Sequence, residues 1–372
     1  MDDERRPPPS APDRQRHALF AGGGSAGHVY PGLAVAEVLS ARGWTVTWTG
    51  RPEGIERALV ERAGTRYVPL AAAPLVGQGF AGKLAALATL AVSSWRGRRL
   101  VSALGAGVVI GTGGYVSAPA VLGARLSGVP SLLLEPNARA GAANRLLSRW
   151  ATRAAVAFGG AAADFACPVE RTGTPVRAAF HEAPAPGRGL RPALLVVGGS
   201  QGASQINELL PPVVERLAGR AEGLRVLHQT GADHLESVRG DYAGRPLPGV
   251  ELEIVPFVDD MPAAMAAADL AVSRAGAITL AEICAAALPA VLVPLAHAAG
   301  HQLDNARALA AAGGAVVLAG EDATVDRAAA VLHELLGDRG RLAAMGAAAR
   351  AMAADDAARR IADLVAILEE AA

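Results

Sequence analysis

The residues best suited to chemistry follow short apolar runs. Leu19-Phe20-Ala21 leads into Gly22-Gly23-Gly24-Ser25-Ala26-Gly27-His28. Glycines there permit positive φ and let backbone N–H groups approach a ligand closely. His28 adjoins the start of a helical pattern, where a neutral imidazole can take a proton or donate to a phosphate. A near-copy lies mid-chain, where Leu194-Leu195-Val196-Val197 runs into Gly198-Gly199-Ser200-Gln201-Gly202-Ala203. This is the pattern of a buried strand turning sharply into a helix whose free N–H groups face an anion. Gly111-Thr112-Gly113-Gly114-Tyr115-Val116-Ser117 is a second anion-competent loop in the first half.

The most specific signal of the second half is Arg274-Ala275-Gly276-Ala277-Ile278-Thr279-Leu280-Ala281-Glu282. A strand ends at Ser273, the chain turns on Gly276, and a helix begins near Ala277. Its first N–H groups can take a phosphate. Glu282, within that helix, can accept from both hydroxyls of a ribose when ionised. His301, Gln302 and Asn305 offer donors and acceptors to sugar hydroxyls, and Asn137 does so after the strand end at Glu135-Pro136.

The elements that carry these residues alternate. Strands are predicted over 17–21, 45–49, 67–70, 108–110 and 131–134, with helices over 31–42 and 53–63. Pro31 suits a first helical turn, where a missing N–H costs nothing. The second half repeats the alternation, with strands over 193–197, 225–228, 251–255, 270–273 and 290–293, then an Ala-rich helical end over 339–371. Such alternation predicts an α/β fold of two Rossmann-like, doubly wound domains, with ligands beyond the C-terminal strand ends. The length of 372 residues suits two domains. Their expected limits are a disordered tail over 1–16, a first domain over 17–172, a second over 173–350, and a final helix over 351–372 that packs back on the first. The Pro/Gly-rich stretch 183–189 reads as a linker.

Several functions are disfavoured. Net charge is zero, so no basic field points to nucleic acid. A nicotinamide site needs an acidic residue after the second strand of the domain. Here those strands end in Thr49-Gly50-Arg51 and Gln229-Thr230-Gly231, without a carboxylate. No Asp-x-Asp pair suggests a metal, and Asp259-Asp260 reads better as a helix cap. Cys167 and Cys284 lack metal-ligand spacing and read as small buried residues. No apolar run is long enough to span a bilayer. Over 75–100, however, Phe80, Leu84, Leu87 and Leu90 form an apolar stripe beside Lys83, Trp95, Arg96, Arg98 and Arg99, which suits an anionic lipid surface.

In order and spacing these motifs resemble the MurG family over about residues 18–372. They include Gly23 to Gly32, Gly113-Gly114-Tyr115-Val116-Ser117, Glu135-Pro136-Asn137 and Pro175-Val176-Arg177. They continue through the 198–203 loop, His228-Gln229-Thr230-Gly231, Phe257-Val258-Asp259-Asp260-Met261, Arg274 to Glu282 and His301-Gln302. The resemblance implies a GT-B fold and a transferase that moves GlcNAc from UDP-GlcNAc to undecaprenyl-pyrophosphoryl-MurNAc-pentapeptide (lipid I), giving lipid II for peptidoglycan. It implies an inverting transfer to the MurNAc 4-hydroxyl with no cofactor, by a peripheral protein of the cytoplasmic face of the cell membrane. Cell-wall synthesis and division proteins are the implied further partners.

Residue by residue, the resemblance puts Ser25, Ala26, Gly27 and Asn137 near the donor from the first domain. It puts Arg177 and Ser200 on the nucleotide or its phosphates, and the Val258 backbone on uracil. Ala277, Ile278, Thr279, Leu280, Ala281 and Glu282 would cradle the diphosphate and ribose, with Glu282 on the ribose hydroxyls and Gln302 on the sugar. Gly113, Gly114 and Tyr115 belong to the acceptor-side loops, and His28 is the candidate base. Three departures stand out: Ala26 replaces a common Gly, Leu134-Glu135-Pro136-Asn137 replaces His-Glu-Gln-Asn, and His301 replaces the first of two Gln. Two rival readings remain: a UDP-GlcNAc epimerase or other GT-B transferase, and a non-catalytic nucleotide-sugar-binding protein.

Overall fold

A computed structural model describes residues 16–73, 80–177, 179–182, 191–199, 202–219, 223–295 and 301–372. The expected tail, save Arg16, and the expected linker over 183–189 lie outside them, as do Ser200 and Gln201.

The first half holds β1 (His17–Gly22), α1 (Ala26–Ala41), β2 (Thr45–Gly50), α2 (Ile55–Arg62), β3 (Arg66–Pro69), α3 (Phe80–Leu104) and β4 (Val108–Gly113). It continues with α4 (Ala118–Ser127), β5 (Ser131–Glu135), α5 (Ala142–Leu147), β6 (Arg153–Val156) and β7 (Val169–Arg171). The second half holds α6 (Ala179–Glu182), β8 (Ala193–Val197), α7 (Ser204–Leu217), β9 (Leu224–Gln229), α8 (Leu235–Ala243), β10 (Val250–Val255), α9 (Met261–Ala266), β11 (Leu270–Ser273) and α10 (Ala277–Ala285). After these come β12 (Ala290–Leu292), α11 (His301–Ala311), β13 (Ala315–Val317), α12 (Val325–Gly337), α13 (Arg339–Arg350) and α14 (Ala357–Glu370).

Two parallel sheets result, ordered β3-β2-β1-β4-β5-β6-β7 and β10-β9-β8-β11-β12-β13. Every residue of β1, β4, β5 and β8 is buried, as expected for continuous apolar runs covered by helices on both faces. Strand order reverses between β1 and β4 and between β8 and β11. A doubly wound sheet opens its binding crevice at such points.

α1 starts earlier than the sequence predicts, at Ala26 rather than near Pro31, with Ser25 as an extended N-cap. Pro31 therefore lies inside the helix and leaves the Gly27 carbonyl without its usual donor. Close packing holds these turns down: a Cβ on Gly32 would lie 2.5 Å from the Trp48 ring. β6, β7 and β13 extend the sheets beyond the predicted strands, and the helical end is two helices broken after Arg350.

The chain passes to the second sheet through residues 172–177 and returns through 351–356. The two crossings touch, since a Cβ on Gly173 (φ +85°) would lie 2.1 Å from the Ala354 Cβ. α14 then lies against the first sheet. Ile361, Leu364, Val365 and Leu368 join Phe20, Leu39 and Trp48 in one core, and Arg42 pairs with Asp363 at 2.6 Å. α3 crosses α4 where both backbones are bare: a Cβ on Gly97 would lie 2.4 Å from Pro119 O. The outer side of α3 leaves Leu87, Val92 and Trp95 about half exposed, with the Arg99 guanidinium 4.0 Å above the Trp95 ring. No helix among the described residues is long and apolar enough to cross a membrane.

Candidate active site between the two sheets

A cavity of about 1310 Å³ opens as a cleft between the C-terminal edges of the sheets and continues along α1 and α2 of the first half. Its first wall is the 22–25 loop and the start of α1. Trp48 Nε1 donates to Gly22 O at 3.1 Å, and Gly24 N (Gly24 φ +82°) donates to the Glu56 carboxylate at 3.1 Å. His28 Nδ1 lies 2.9 Å from Gly23 O and 3.3 Å from Ser25 Oγ. A carbonyl only accepts, so the proton sits on Nδ1 and the Nε2 lone pair is left to act.

Gly113 (φ +109°) and Gly114 (φ +74°) back this imidazole: a Cβ on the first would lie 2.8 Å from His28 Cδ2 and on the second 3.2 Å from Nδ1. These residues and Tyr115 therefore stand behind the ring instead of lining the cleft. The Tyr115 hydroxyl accepts from Arg51 Nη1 at 3.0 Å. Ala26 is not among the residues with positive φ, so its side chain costs the loop nothing.

The turn after β5 is built on buried Glu135. Its Oε1 accepts from Asn137 N at 3.1 Å and Nδ2 at 2.8 Å; its Oε2 accepts from Gly141 N at 2.8 Å and Asn144 Nδ2 at 3.0 Å. The donor that Pro136 lacks is not needed, because the carboxylate collects the N–H groups beyond it. Asn137 lines the cleft, but its amide is occupied on both sides, since Oδ1 accepts from Asn305 Nδ2 at 3.2 Å. Asn305, fully buried in α11, also accepts from Ala138 N at 2.7 Å and donates to Ala275 O at 3.2 Å. It thus joins the first domain's turn to the second domain's turn before α10.

The second wall is that turn and α10. The first intrahelical bond runs from Leu280 N to Gly276 O at 2.9 Å, so the N–H groups of Ala277, Ile278 and Thr279 at the cleft have no acceptor within the helix, nor any other among the described residues. The Leu280 side chain points into the core, and Ala281 does not line the cleft. Arg274 lines the cleft without an ion pair among the described residues, and burial lowers its pKa. Glu282 receives Arg177 Nη2 at 3.4 Å. Burial pushes its carboxyl up to about 7 despite that cation. The Arg177 guanidinium also lies 5.3 Å from the Tyr30 ring and 5.1 Å from the Phe180 ring, while its buried Nε has no partner among the described residues. The two walls nearly meet: a Cβ on Gly27 would lie 3.8 Å from Ile278 Cγ1. The helix N-terminus that suits a diphosphate thus faces, across the cleft, the turn that carries the His28 imidazole.

Gly198, Gly199, Phe257, Val258 and Gln302 complete the lining. Gln302 Oε1 accepts from Leu295 N at 3.0 Å, and neither its amide N–H groups nor the buried His301 Nδ1 has a partner among the described residues. Gly202 presses on β9 so closely that a Cβ would lie 1.8 Å from Thr230 O. Behind it His228 bridges Asn207 Oδ1 and the Tyr242 hydroxyl, each at 3.1 Å, and burial lowers its pKa to about 4. Ser200, expected here, lies outside the described residues. Asp260 caps α9 by accepting from Ala263 N at 3.0 Å. The parts that sequence reasoning left without a role are Glu56, Glu135 and Arg274. Only Arg274 carried a local signal, as the cation just before a strand–glycine–helix turn.

The model of the glycosyltransferase family 28 N-terminal domain matches residues 18–156, and that of the C-terminal domain matches 193–361. A Halorhodospira halophila protein named UDP-N-acetylglucosamine–N-acetylmuramyl-(pentapeptide) pyrophosphoryl-undecaprenol N-acetylglucosamine transferase is 44% identical, over 94% of this chain and 97% of its own. The crystal structure of Acinetobacter baumannii MurG matches with a TM-score of 0.78 at 32% identity, over 95% of this chain and 99% of that one. The chain belongs to the MurG family. Its two sheets and cleft are accordingly a GT-B arrangement. The calicheamicin glycosyltransferase, with a TM-score of 0.67 at 20% identity over 95% of this chain and 98% of its own, shares that fold.

Proposed function

We propose that this chain transfers GlcNAc from UDP-GlcNAc to the MurNAc 4-hydroxyl of lipid I, forming lipid II with inversion. The observation that carries the reading is the approach of the His28 turn to the α10 N-terminus across the cleft. The acceptor oxygen attacks the anomeric carbon, its proton passes to His28 Nε2, and the bond to the diphosphate oxygen breaks to release UDP. Free N–H groups of Ala277, Ile278 and Thr279, with Arg274, stabilise the departing charge. Glu282 holds the ribose hydroxyls, the Val258 backbone meets uracil, and Gln302 reads the sugar. Arg177 exchanges its pairing with Glu282 for the nucleotide. The first domain (17–172) receives the acceptor, and the second (173–350) holds the donor. Convergence of three or more His, Cys, Asp or Glu side chains on a metal position does not occur among the described residues.

The exposed side of α3 suits an anionic membrane. Leu87, Val92 and Trp95 would enter the interface, with Arg96, Arg98 and Arg99 at the head groups. In the stripe expected there, the side chains of Phe80, Lys83 and Leu84 lie outside the described residues. This contact would make the chain a peripheral protein of the cytoplasmic face, where wall-synthesis and division proteins could meet it.

The deciding assay is UDP release from UDP-GlcNAc with a soluble lipid I analogue. Acceptor-dependent turnover is expected, and His28→Ala is expected to lower kcat by roughly 10²- to 10⁴-fold with little change in UDP affinity. Conversion of UDP-GlcNAc without acceptor would support an epimerase instead. Binding without turnover would support a nucleotide-sugar-binding protein.

A further inference from the structure

Glu56 is the second residue of α2, its side chain wholly buried, and no cationic side chain among the described residues pairs with it. Its Oε1 accepts from Arg51 N at 2.8 Å and its Oε2 from Gly24 N at 3.1 Å. Three glycines make room for it, one from the 22–25 loop and two that bracket the short connection from β2 to α2. A Cβ would lie 2.2 Å from its Cδ if placed on Gly23, 2.8 Å from its Cγ on Gly50, and 2.0 Å from its Oε1 on Gly54. The same loops are tied around it by Tyr67 Oη donating to Arg51 O at 2.7 Å and Trp48 Nε1 donating to Gly22 O at 3.1 Å.

A buried carboxylate without a counter-ion is costly, and an apolar side chain would fill the same volume more cheaply. What the carboxylate supplies is direction. It fixes the N–H of Gly24, whose preceding carbonyl, Gly23 O, is the group that holds the His28 Nδ1 proton. We infer that Glu56 is a positioning residue for the transfer reaction: from beneath the 22–25 loop it orients Gly23 O, and so fixes the tautomer and direction of the His28 ring. The inference rests on the reading of His28 as the proton acceptor. Glu56 itself does not line the cleft.

The test uses the full chain with Glu56→Gln, which keeps the shape but turns one acceptor into a donor facing an N–H. Gly54→Ala is the second variant, displacing the carboxylate without altering it. ¹⁵N spectra of histidine-labelled protein report the His28 tautomer; steady-state assays with a soluble lipid I analogue report kcat; calorimetry with UDP reports donor-site affinity. Expected in both variants are a His28 ring no longer held as the Nδ1–H form alone, a kcat at least 10-fold lower, and a UDP Kd within twofold of wild type. An unchanged tautomer in either folded variant would overturn the inference. So would a parallel loss of UDP affinity, or unfolding of both variants at assay temperature, since Glu56 would then hold the domain and not the loop. If wild type shows no acceptor-dependent turnover while the tautomer still shifts, the proposed reaction fails and the positioning role stands.

Discussion

Replacing Glu282 with Gln should make the free protein more stable and the donor site weaker, each with its own pH signature. The carboxyl has an ordinary pKa of 4.5, and burial raises it to about 7 in the fold, the Arg177 attraction offsetting only part of the desolvation. Between those values the folded state binds more protons than the unfolded state, so stability falls as pH rises. A tenfold change in a protonation equilibrium is worth roughly 1.4 kcal/mol, so keeping this carboxyl in the fold costs about 1 kcal/mol at pH 5, where it must be protonated, and about 3 kcal/mol at pH 8, where it is buried ionised. Glu282→Gln should recover most of this, about 2 kcal/mol at pH 8 after allowing for the amide's own desolvation. In a chain of this size that is a rise in Tm of roughly 3 °C at pH 8 and almost none at pH 5.

Donor affinity should move the other way. Loss of charge-assisted bonds to the ribose, about 1.5–3 kcal/mol, weakens UDP binding roughly 10- to 100-fold. Wild-type binding should tighten as pH rises through 7, and the variant should lose that dependence. Scanning calorimetry and UDP titrations at pH 5, 6, 7 and 8 measure both. A Tm difference that does not vary with pH, or variant binding that keeps the wild-type pH slope, would refute the assignment of this carboxylate.

Gly113→Ala places a methyl 2.8 Å from the His28 ring at a φ of +109°, so kcat should fall about 100-fold while UDP affinity holds; an unaltered kcat would remove the ring's support from the account. Asn305→Ala strips three hydrogen bonds, those to Asn137 and Ala138 running between the domains, and leaves the Ala138 N–H unmet, a cost of about 2–3 kcal/mol. Spin-label distances between α2 and α8 should broaden in the UDP-bound variant, and an unchanged distribution would deny Asn305 that bridging role. Trp95→Glu should lower partition onto anionic phosphatidylglycerol vesicles by roughly 10-fold, and equal binding would point to another face.

Where local sequence decides structure, the reading is close. Ala193–Val197 and Leu270–Ser273 are apolar runs bounded by polar or glycine residues, and both strands start and stop where predicted. Arg153–Val156 and Val169–Arg171 carry charged residues and Ala315–Val317 is only three residues long, so none presents a clear apolar run, and they pair because a sheet edge is already waiting. α1 shows tertiary packing overriding a local rule, since contact with Trp48 seats the turns that Pro31 would otherwise weaken. Within the site, Glu282, Gln302 and His28 were legible because each follows its own strand end. Glu56 was not, because Gly23 and Gly24, whose loop it holds, stand 33 and 32 positions away and meet it only in space. Asn305 was legible as a polar residue near the cleft, but its partners include a turn of the other domain, and no local pattern points across 168 residues to Asn137.

The place of α14 governs the order in which the protein can be made. Its apolar face closes a core begun by β1 and α1, across a separation of 321 residues at the Arg42–Asp363 pair. On the ribosome the first domain must wait, its sheet formed but one flank uncovered, until α14 has been synthesised. Until then the second domain, already complete through α13, stands between that flank and its cover. Such an exposed apolar flank is a natural client for a chaperone, and a nonsense mutation ahead of α14 would leave it open for good.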